Sequence, residues 1–199
     1  MVAFLGIDIG TSAVKAVLVD GTQRILASAT RPLASAQPVP GWSEQDPEDW
    51  WRAVEAVAAE LSRAAPEAWR ALNSIGLSGQ MHGLVALDSA GAVIRPAILW
   101  NDSRALAEAA QLAAIPGVAR LAGVLPMAGL TAPKALWLKR HEPEAFARIA
   151  CVLLPKDYVR FRMTGERLTD VSDAAGTLWL DQAHRTWSPE MVTASGLRL

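Results

Sequence analysis

Residues 5–20 read Leu-Gly-Ile-Asp-Ile-Gly-Thr-Ser-Ala-Val-Lys-Ala-Val-Leu-Val-Asp, and this stretch carries the most structural information in the chain. Two β-rich runs lie on either side of a short glycine turn, a pattern that predicts a hairpin. Gly10 lets a ligand approach the backbone, because glycine has no Cβ. Backbone N–H groups, the hydroxyls of Thr11 and Ser12 and the ammonium of Lys15 suit the oxygens of a phosphate group.

Asp8 stands at the end of the first run. Its carboxylate is suited to a hydrated Mg²⁺, an ion that proteins bind through one or two carboxylates. An ordinary hairpin whose aspartate stabilises the turn explains the same residues. The stretch is not the lysine loop of P-loop proteins, because its spacing differs and no helix follows directly.

The composition is that of a globular protein without a strongly charged partner. Of the 199 residues 51% are apolar and 20% are charged, and the net charge of −1 favours neither nucleic acid nor an anionic membrane. Cys151 is the only cysteine, which excludes an internal disulfide and favours a reducing, cytoplasmic setting. No run has the length of a membrane span, and the N-terminus lacks the basic region of a signal peptide. The length fits one domain, or one domain and part of another.

Strands and helices alternate beyond the hairpin. Residues 25–29 predict a third strand and an antiparallel meander, and Asp46 predicts the N-cap of a helix that Pro47 opens. Further predicted strands cover 74–77, 84–87, 97–100 and 149–154, and further helices end near Ala114 and His141. This order predicts an α/β fold with a mixed sheet and flanking helices, as in the ribonuclease-H-like half of the actin, Hsp70 and sugar-kinase superfamily.

Polar residues stand at the ends of three predicted strands, in segments 8–12, 80–82 and 101–104. Ligands bind to layered sheets at such strand ends, so the three segments together favour a binding site. The segment Gln80-Met81-His82 lies between two glycines, which predicts a tight, exposed bend. A lone histidine is usually a core or surface residue, but this position favours a ligand contact. The three histidines of the chain are widely spaced, and no metal cluster is predicted.

The segment Asn101-Asp102-Ser103-Arg104 has a structural explanation, since Asp102 or Ser103 can cap the helix that follows. In the functional interpretation, Asn101 or Asp102 meets sugar hydroxyls and Arg104 orients the loop.

Seven segments in chain order resemble the FGGY family of carbohydrate kinases. They are residues 6–12, 42–47, 78–83, 96–102, 154–158, 162–166 and 172–179. Within the family, the pair Met81-His82 resembles the residues that the xylulokinase branch carries at this position, whereas glycerol-type members carry Arg-Glu there. The resemblance implies a kinase that uses ATP and Mg²⁺ to phosphorylate D-xylulose.

The same resemblance implies roles for individual residues. Those expected to bind the sugar are Gln80, Met81, His82, Asn101 and Asp102. Those expected to serve the transferred phosphate are Asp8, which would also hold the metal, and Thr11, Ser12 and Lys15.

One departure limits the resemblance. The family's catalytic base is an aspartate in a Gly-Gly-Asp-Asn segment, and these 199 residues contain no such segment. Residues 1–199 are therefore expected to be the N-terminal, sugar-binding domain of a longer kinase, inactive without its C-terminal nucleotide-binding domain; a homodimer is left open. The alternatives are a kinase of the family that acts on ribulose, glycerol or gluconate, and a non-catalytic actin-like, Hsp70-like or sugar-sensing module.

Overall fold

The computed structural model describes residues 2–198. Its strands are β1 (Ala3–Ile9), β2 (Ala13–Asp20), β3 (Ile25–Pro32), β4 (Glu44–Gln45), β5 (Leu72–Gly79), β6 (Val85–Leu87), β7 (Ala97–Ile98), β8 (Cys151–Leu153), β9 (Leu180–Asp181) and β10 (Thr186–Trp187). Its helices are α1 (Pro47–Ala64), α2 (Pro66–Arg70), α3 (Leu106–Ala113), α4 (Val118–Ala122), α5 (Thr131–His141), α6 (Pro143–Ala147), α7 (Pro155–Thr164), α8 (Val171–Ala175) and α9 (Pro189–Ala194). Within 2–198, no helix is both long and apolar enough to cross a membrane.

The main sheet has the strand order β3-β2-β1-β5. Its first three strands form the predicted antiparallel meander, and β5 joins β1 in parallel. The register sets Asp8 of β1 beside Lys15 of β2 and beside Ser78 of β5. Because directly paired residues point to the same face of a sheet, these three side chains share one face near the end of β1. The predicted mixed α/β fold is confirmed.

The opposite face of the sheet forms the main core against α1. Side chains such as Leu5 and Ile7 of β1 pack on Trp50, Val57 and Leu61 of α1, and all five are at least 97% buried. Burying a large apolar side chain contributes about 1.5–3 kcal/mol, so this contact anchors α1 to the sheet.

The start of α1 agrees with its prediction. The Asp46 side chain accepts a hydrogen bond from the N–H of Glu48, and Pro47 occupies the first turn. The aspartate side chain accepts from one of the otherwise unpaired N–H groups at the helix start, and proline has no N–H to leave unpaired.

The predicted cap of α3 is wrong. The helix begins at Leu106 after Ala105, and no side chain caps it. The carboxylate of Asp102 is instead bound by the N–H of Ser43 and by Arg104, which draws it away from the helix end. The hydroxyl of Ser103 donates to the carbonyl of Gly41.

Candidate functional site

The turn between β1 and β2 presents charged groups on the open face of the sheet. Asp8 is exposed, and its Oδ1 accepts a hydrogen bond of 2.8 Å from the hydroxyl of Ser78. A groove of about 380 Å³ runs along this face, and its lining includes Asp8, Lys15 and Ser78. Gly6 and Gly76, which are partners in the register, deepen the groove because neither carries a side chain. One carboxylate and one ammonium therefore lie on the same groove.

The backbone of the turn is only partly available to a ligand. The N–H of Gly10 donates to the carbonyl of Ala13 at 3.0 Å, so this group is not free. Within residues 2–198, the N–H groups of Thr11 and Ser12 have no hydrogen-bond acceptor. Unpaired N–H groups in a turn form an anion-binding concavity, so two donors remain for a phosphate group.

Hydrogen bonds join the three predicted segments into one site. The hydroxyl of Thr11 donates to Oε1 of Gln80 and accepts from the indole N–H of Trp100, both at 3.0 Å. Thr11 belongs to the first segment and Gln80 to the second, while Trp100 immediately precedes Asn101 of the third. The strand ends that the sequence predicts to meet are thus in direct contact.

Gln45 connects these segments to the core, although it is not among the residues predicted above. Its Oε1 accepts from Nε2 of Gln80 at 2.8 Å and from the indole N–H of Trp50 at 2.9 Å. Its Nε2 donates to the carbonyl of Thr11 at 2.7 Å. Only its place in the family-like segment 42–47 marked it, because a glutamine in the two-residue strand β4 has no motif of its own.

The loop of residues 79–83 forms a tight bend that presents Met81 and His82. Met81 is exposed and His82 is half-buried, with a φ of +62° in the left-handed region. The loop presses against the start of α7, where a Cβ on Gly83 would lie 2.7 Å from Cγ of Pro155. Glycine at this position is what allows that close approach.

Burial and the nearby charge of Lys134 lower the pKa of His82 below its usual value. The imidazole is therefore mainly neutral near pH 7. Its Nδ1 is buried without a hydrogen-bond partner in the described chain, which leaves Nε2 as the ring nitrogen for a ligand. Lys134 was also not predicted as a site residue, although its Nζ donates to the carbonyl of His82 at 2.9 Å.

Asp102 and Asn101 differ in what they can offer a ligand. The carboxylate of Asp102 is buried and accepts four hydrogen bonds, one from the N–H of Ser43 and three from Arg104. The guanidinium of Arg104 also stacks 3.7 Å from the ring centroid of Trp42. Asp102 thus fixes the loop, and its contact with a sugar stays a prediction. Asn101 is exposed beside it.

Asp8 fits Mg²⁺ as a single protein ligand. Its Oδ2 accepts no hydrogen bond from the part of the chain that the structure describes. Over the same residues, no group of three or more His, Cys, Asp or Glu side chains could hold a metal ion. Because Mg²⁺ keeps several waters and is usually shared with substrate phosphates, one free carboxylate suits an ion that arrives with a nucleotide.

A cavity of about 840 Å³ lies away from this site. Its lining comes from residues between Phe146 and the C-terminal segment, and includes Cys151, Leu180 and Leu197. None of the nine predicted site residues, all within the described range, lines it.

Comparisons of this chain with a protein family and with individual proteins agree with one another. The N-terminal domain of the FGGY family of carbohydrate kinases matches residues 3–199. A xylulose kinase from Klebsiella pneumoniae is 49% identical over 195 residues, which cover 98% of this chain and 40% of the relative. A kinase from Brucella ovis, described as a xyloylose kinase, superposes with a TM-score of 0.97 at 48% identity, covering 98% of this chain and 41% of that one. A gluconate kinase from Lactobacillus acidophilus has a TM-score of 0.91 at 28% identity, covering 98% and 40%. The chain spans about 40% of the length of these relatives.

Proposed function

The chain belongs to the FGGY family of carbohydrate kinases, and from this membership we propose that residues 1–199 form the N-terminal, sugar-binding domain of an ATP-dependent kinase that phosphorylates D-xylulose. The observation that carries the proposal is the position of Met81 and His82. The bend that presents them is hydrogen-bonded through Gln80 to Thr11 of the turn with free N–H groups. A sugar held by the bend would therefore lie near a phosphate held by the turn.

The sugar would be bound by complementary contacts from the bend. The imidazole of His82 can donate to a sugar hydroxyl or accept from one through Nε2, according to its tautomer, because Nδ1 is buried. The thioether of the exposed Met81 offers an adaptable apolar surface to the carbon face of the sugar. Asn101, exposed in the adjoining loop, adds amide donor and acceptor groups.

Residues of the turn and groove would serve the phosphate. Asp8 would hold Mg²⁺, and the N–H groups of Thr11 and Ser12, with the ammonium of Lys15, would stabilise phosphate oxygens. Bound Mg²⁺ neutralises charge on the phosphates of ATP during transfer. Phosphoryl transfer depends on positioning and charge stabilisation, which suits a site with a rigid sugar loop and an open anion turn.

The general base is proposed to come from elsewhere in the whole kinase. These 199 residues contain no Gly-Gly-Asp-Asn segment, and the chain covers only 40% of the Klebsiella pneumoniae relative. We propose that the C-terminal domain supplies this base and most of the ATP pocket, and that closure of the two domains excludes water.

A gluconate kinase is the second candidate, because a protein with that name shares the fold at a TM-score of 0.91. Its sequence identity of 28% is well below the 49% of the Klebsiella pneumoniae xylulose kinase, which favours D-xylulose. A panel of D-xylulose, D-ribulose, glycerol and gluconate assayed with the whole kinase, ATP and Mg²⁺ tests the choice. We expect D-xylulose to have the highest kcat/KM; a clear preference for gluconate or glycerol would refute the assignment.

The sugar site can be tested on the 199-residue chain itself. Removing one partner of a sugar hydrogen bond costs about 1–3 kcal/mol, and in an open site where water replaces the partner we expect the lower end. D-xylulose should bind weakly, and His82→Ala should weaken its binding without lowering the melting temperature. His184→Ala, which removes an exposed histidine elsewhere, is the control. NMR shifts at Gly79, Gly83 and Asn101 should move together on titration; shifts confined to a distant surface would mean that the sugar binds elsewhere.

A further inference from the structure

The segment 172–179 resembles the kinase family, yet the proposed function gives it no part. It contains Gly176, which ends α8 with φ −73° and ψ −4°. These are ordinary helical angles that any residue adopts, so the backbone does not require glycine here. Glycine must be present for another reason.

That reason is the imidazole of His82. A Cβ on Gly176 would lie closer than 3.0 Å to both Nδ1 and Cε1 of this ring, inside van der Waals contact. The absence of a side chain at Gly176 therefore leaves the space that the ring occupies. Any larger residue would force the imidazole to move.

The main chain of His82 is held by two side chains of α5. Lys134 of α5 is fully buried, and its Nζ donates to the carbonyl of His82 at 2.9 Å and to the carbonyl of Gly129 at 2.6 Å. The hydroxyl of Thr131 also donates to the carbonyl of His82, at 3.2 Å. A left-handed φ is unfavourable for a residue with a Cβ, and such a conformation persists where surrounding contacts over-determine it.

The ionisation of Lys134 agrees with this arrangement. Burial lowers the pKa of Lys134 to about 7, against the opposing effect of the nearby Asp102, while Arg104 lowers it further. The group has two N–H donors when neutral and three when protonated, so it can bind both carbonyls in either state.

We propose that Lys134 and Gly176 are positioning residues that fix His82 in the single orientation in which it meets the substrate sugar. Lys134 fixes the main chain, and Gly176 reserves the space for the ring. The inference rests on the proposed function for the identity of the sugar, but the placement of the ring can be measured without any ligand.

Gly176→Ala is the decisive variant, because alanine fits the backbone angles and disturbs only the imidazole. We expect the NMR resonances of the His82 ring to shift in the unliganded 199-residue chain. The dissociation constant of the variant for D-xylulose should rise about tenfold, because the hydrogen bond between His82 and the sugar is lost. Its melting temperature should change little. Gly21→Ala is the matched control, because a Cβ there would meet only Cγ1 of Val2, at 4.0 Å.

Lys134→Met tests the second half of the proposal. Loss of the positive charge beside His82 should raise the pKa of the imidazole, which its ring resonances report in a pH titration. A purely structural lysine would lower the melting temperature and leave the His82 titration and sugar affinity of the folded protein unchanged, which would overturn the role of Lys134. If this variant does not fold, Gly176→Ala decides the proposal.

The outcomes separate the inference from the proposed function. The positioning role is overturned if the His82 resonances do not shift in Gly176→Ala. It is also overturned if the wild type binds D-xylulose and the variant binds it equally well. A wild type that binds no D-xylulose refutes the sugar assignment, and the ring resonances then still decide whether Gly176 and Lys134 hold the imidazole.

Discussion

The two loops of the candidate site are held by the protein in opposite ways. The turn between β1 and β2 leaves Oδ2 of Asp8 and the N–H groups of Thr11 and Ser12 without partners in the described chain. The loop of residues 79–83, in contrast, is bound at the carbonyl of His82 by Thr131 and Lys134. A neutral sugar needs a preformed surface, because binding then costs less ordering, whereas a phosphate with its metal needs open donors and a free carboxylate.

The largest expected effect tests whether the loop that contains Asp102 is as rigidly held as its contacts indicate. Asp102→Ala leaves the N–H of Ser43 without its acceptor and removes one of two carboxylates from the buried guanidinium of Arg104, which keeps Glu44 at 2.7 Å. Removing one partner of a buried ion pair costs about 3–5 kcal/mol, and because Glu44 remains we expect a loss in the free energy of unfolding near the lower end of that range. Urea-induced unfolding of the 199-residue chain measures it.

The control for this variant is Asp49→Ala, which breaks an exposed pair with Arg52 at 2.8 Å. Surface pairs contribute about 0–1 kcal/mol, so the control should be nearly neutral. An equally small loss in Asp102→Ala would show that the loop does not depend on its buried ion pair.

The second prediction concerns Asp8 at the end of β1, where a substitution should affect catalysis and not stability. Asp8→Ala in the whole kinase should lower kcat about 10²–10³-fold, the scale for loss of one electrostatic stabiliser of the transition state. The KM for D-xylulose should change much less, because Asp8 is proposed to serve the phosphate and not the sugar. Steady-state kinetics with saturating Mg²⁺ and ATP provide the measurement. A variant with near-normal kcat would reduce Asp8 to a turn residue.

The third prediction uses pH to compare a buried lysine with an exposed one. The pKa of Lys134 is lowered by burial to about 7, whereas an unfolded lysine has a pKa of about 10.4. Between these values the unfolded chain binds a proton that the folded chain lacks, so the contribution of Lys134 to the free energy of unfolding rises with pH. The slope is at most about 1.4 kcal/mol per pH unit.

Comparison with Lys134→Met isolates this contribution, because other titrating groups cancel. The free energy of unfolding of the wild type minus that of the variant should increase between pH 7 and pH 9. Lys15→Met, which removes an exposed lysine of β2, is the control. A difference for Lys134→Met that stays constant over this range would contradict the prediction.

The sequence predicted the sheet and the convergence of the three strand ends, because both depend on local patterns. The meander follows from apolar runs separated by turns, and the N-cap at Asp46 follows from a short motif with Pro47. The predicted cap at Asp102 failed because its real partners lie elsewhere, at Ser43, which is 59 residues away, and at Arg104. Helix caps are local, and a distant competitor for the same carboxylate leaves no local signal.

The residues that support the site were missed for the same physical reason. Gln45 contacts Gln80 across 35 residues, and Lys134 contacts His82 across 52. Lys134 did leave one signal in the sequence, since it stands in the otherwise apolar run of residues 132–138. A lysine in such a run must find buried acceptors, so it is a candidate for a structural or functional contact.

The hydrogen bond between the indole of Trp100 and Thr11 gives the protein an optical property. Trp100 is 41% exposed, whereas Trp50, Trp137 and Trp179 are buried in the cores. Indole emission shifts to longer wavelength in contact with water, so Trp100 contributes on the red side of the spectrum and the buried rings on the blue side. Trp187 is exposed to the same degree, but within residues 2–198 it makes no hydrogen bond to Thr11. An anion that competes for the hydroxyl of Thr11 alters the surroundings of Trp100, and the intrinsic fluorescence can therefore follow occupation of the turn without a label.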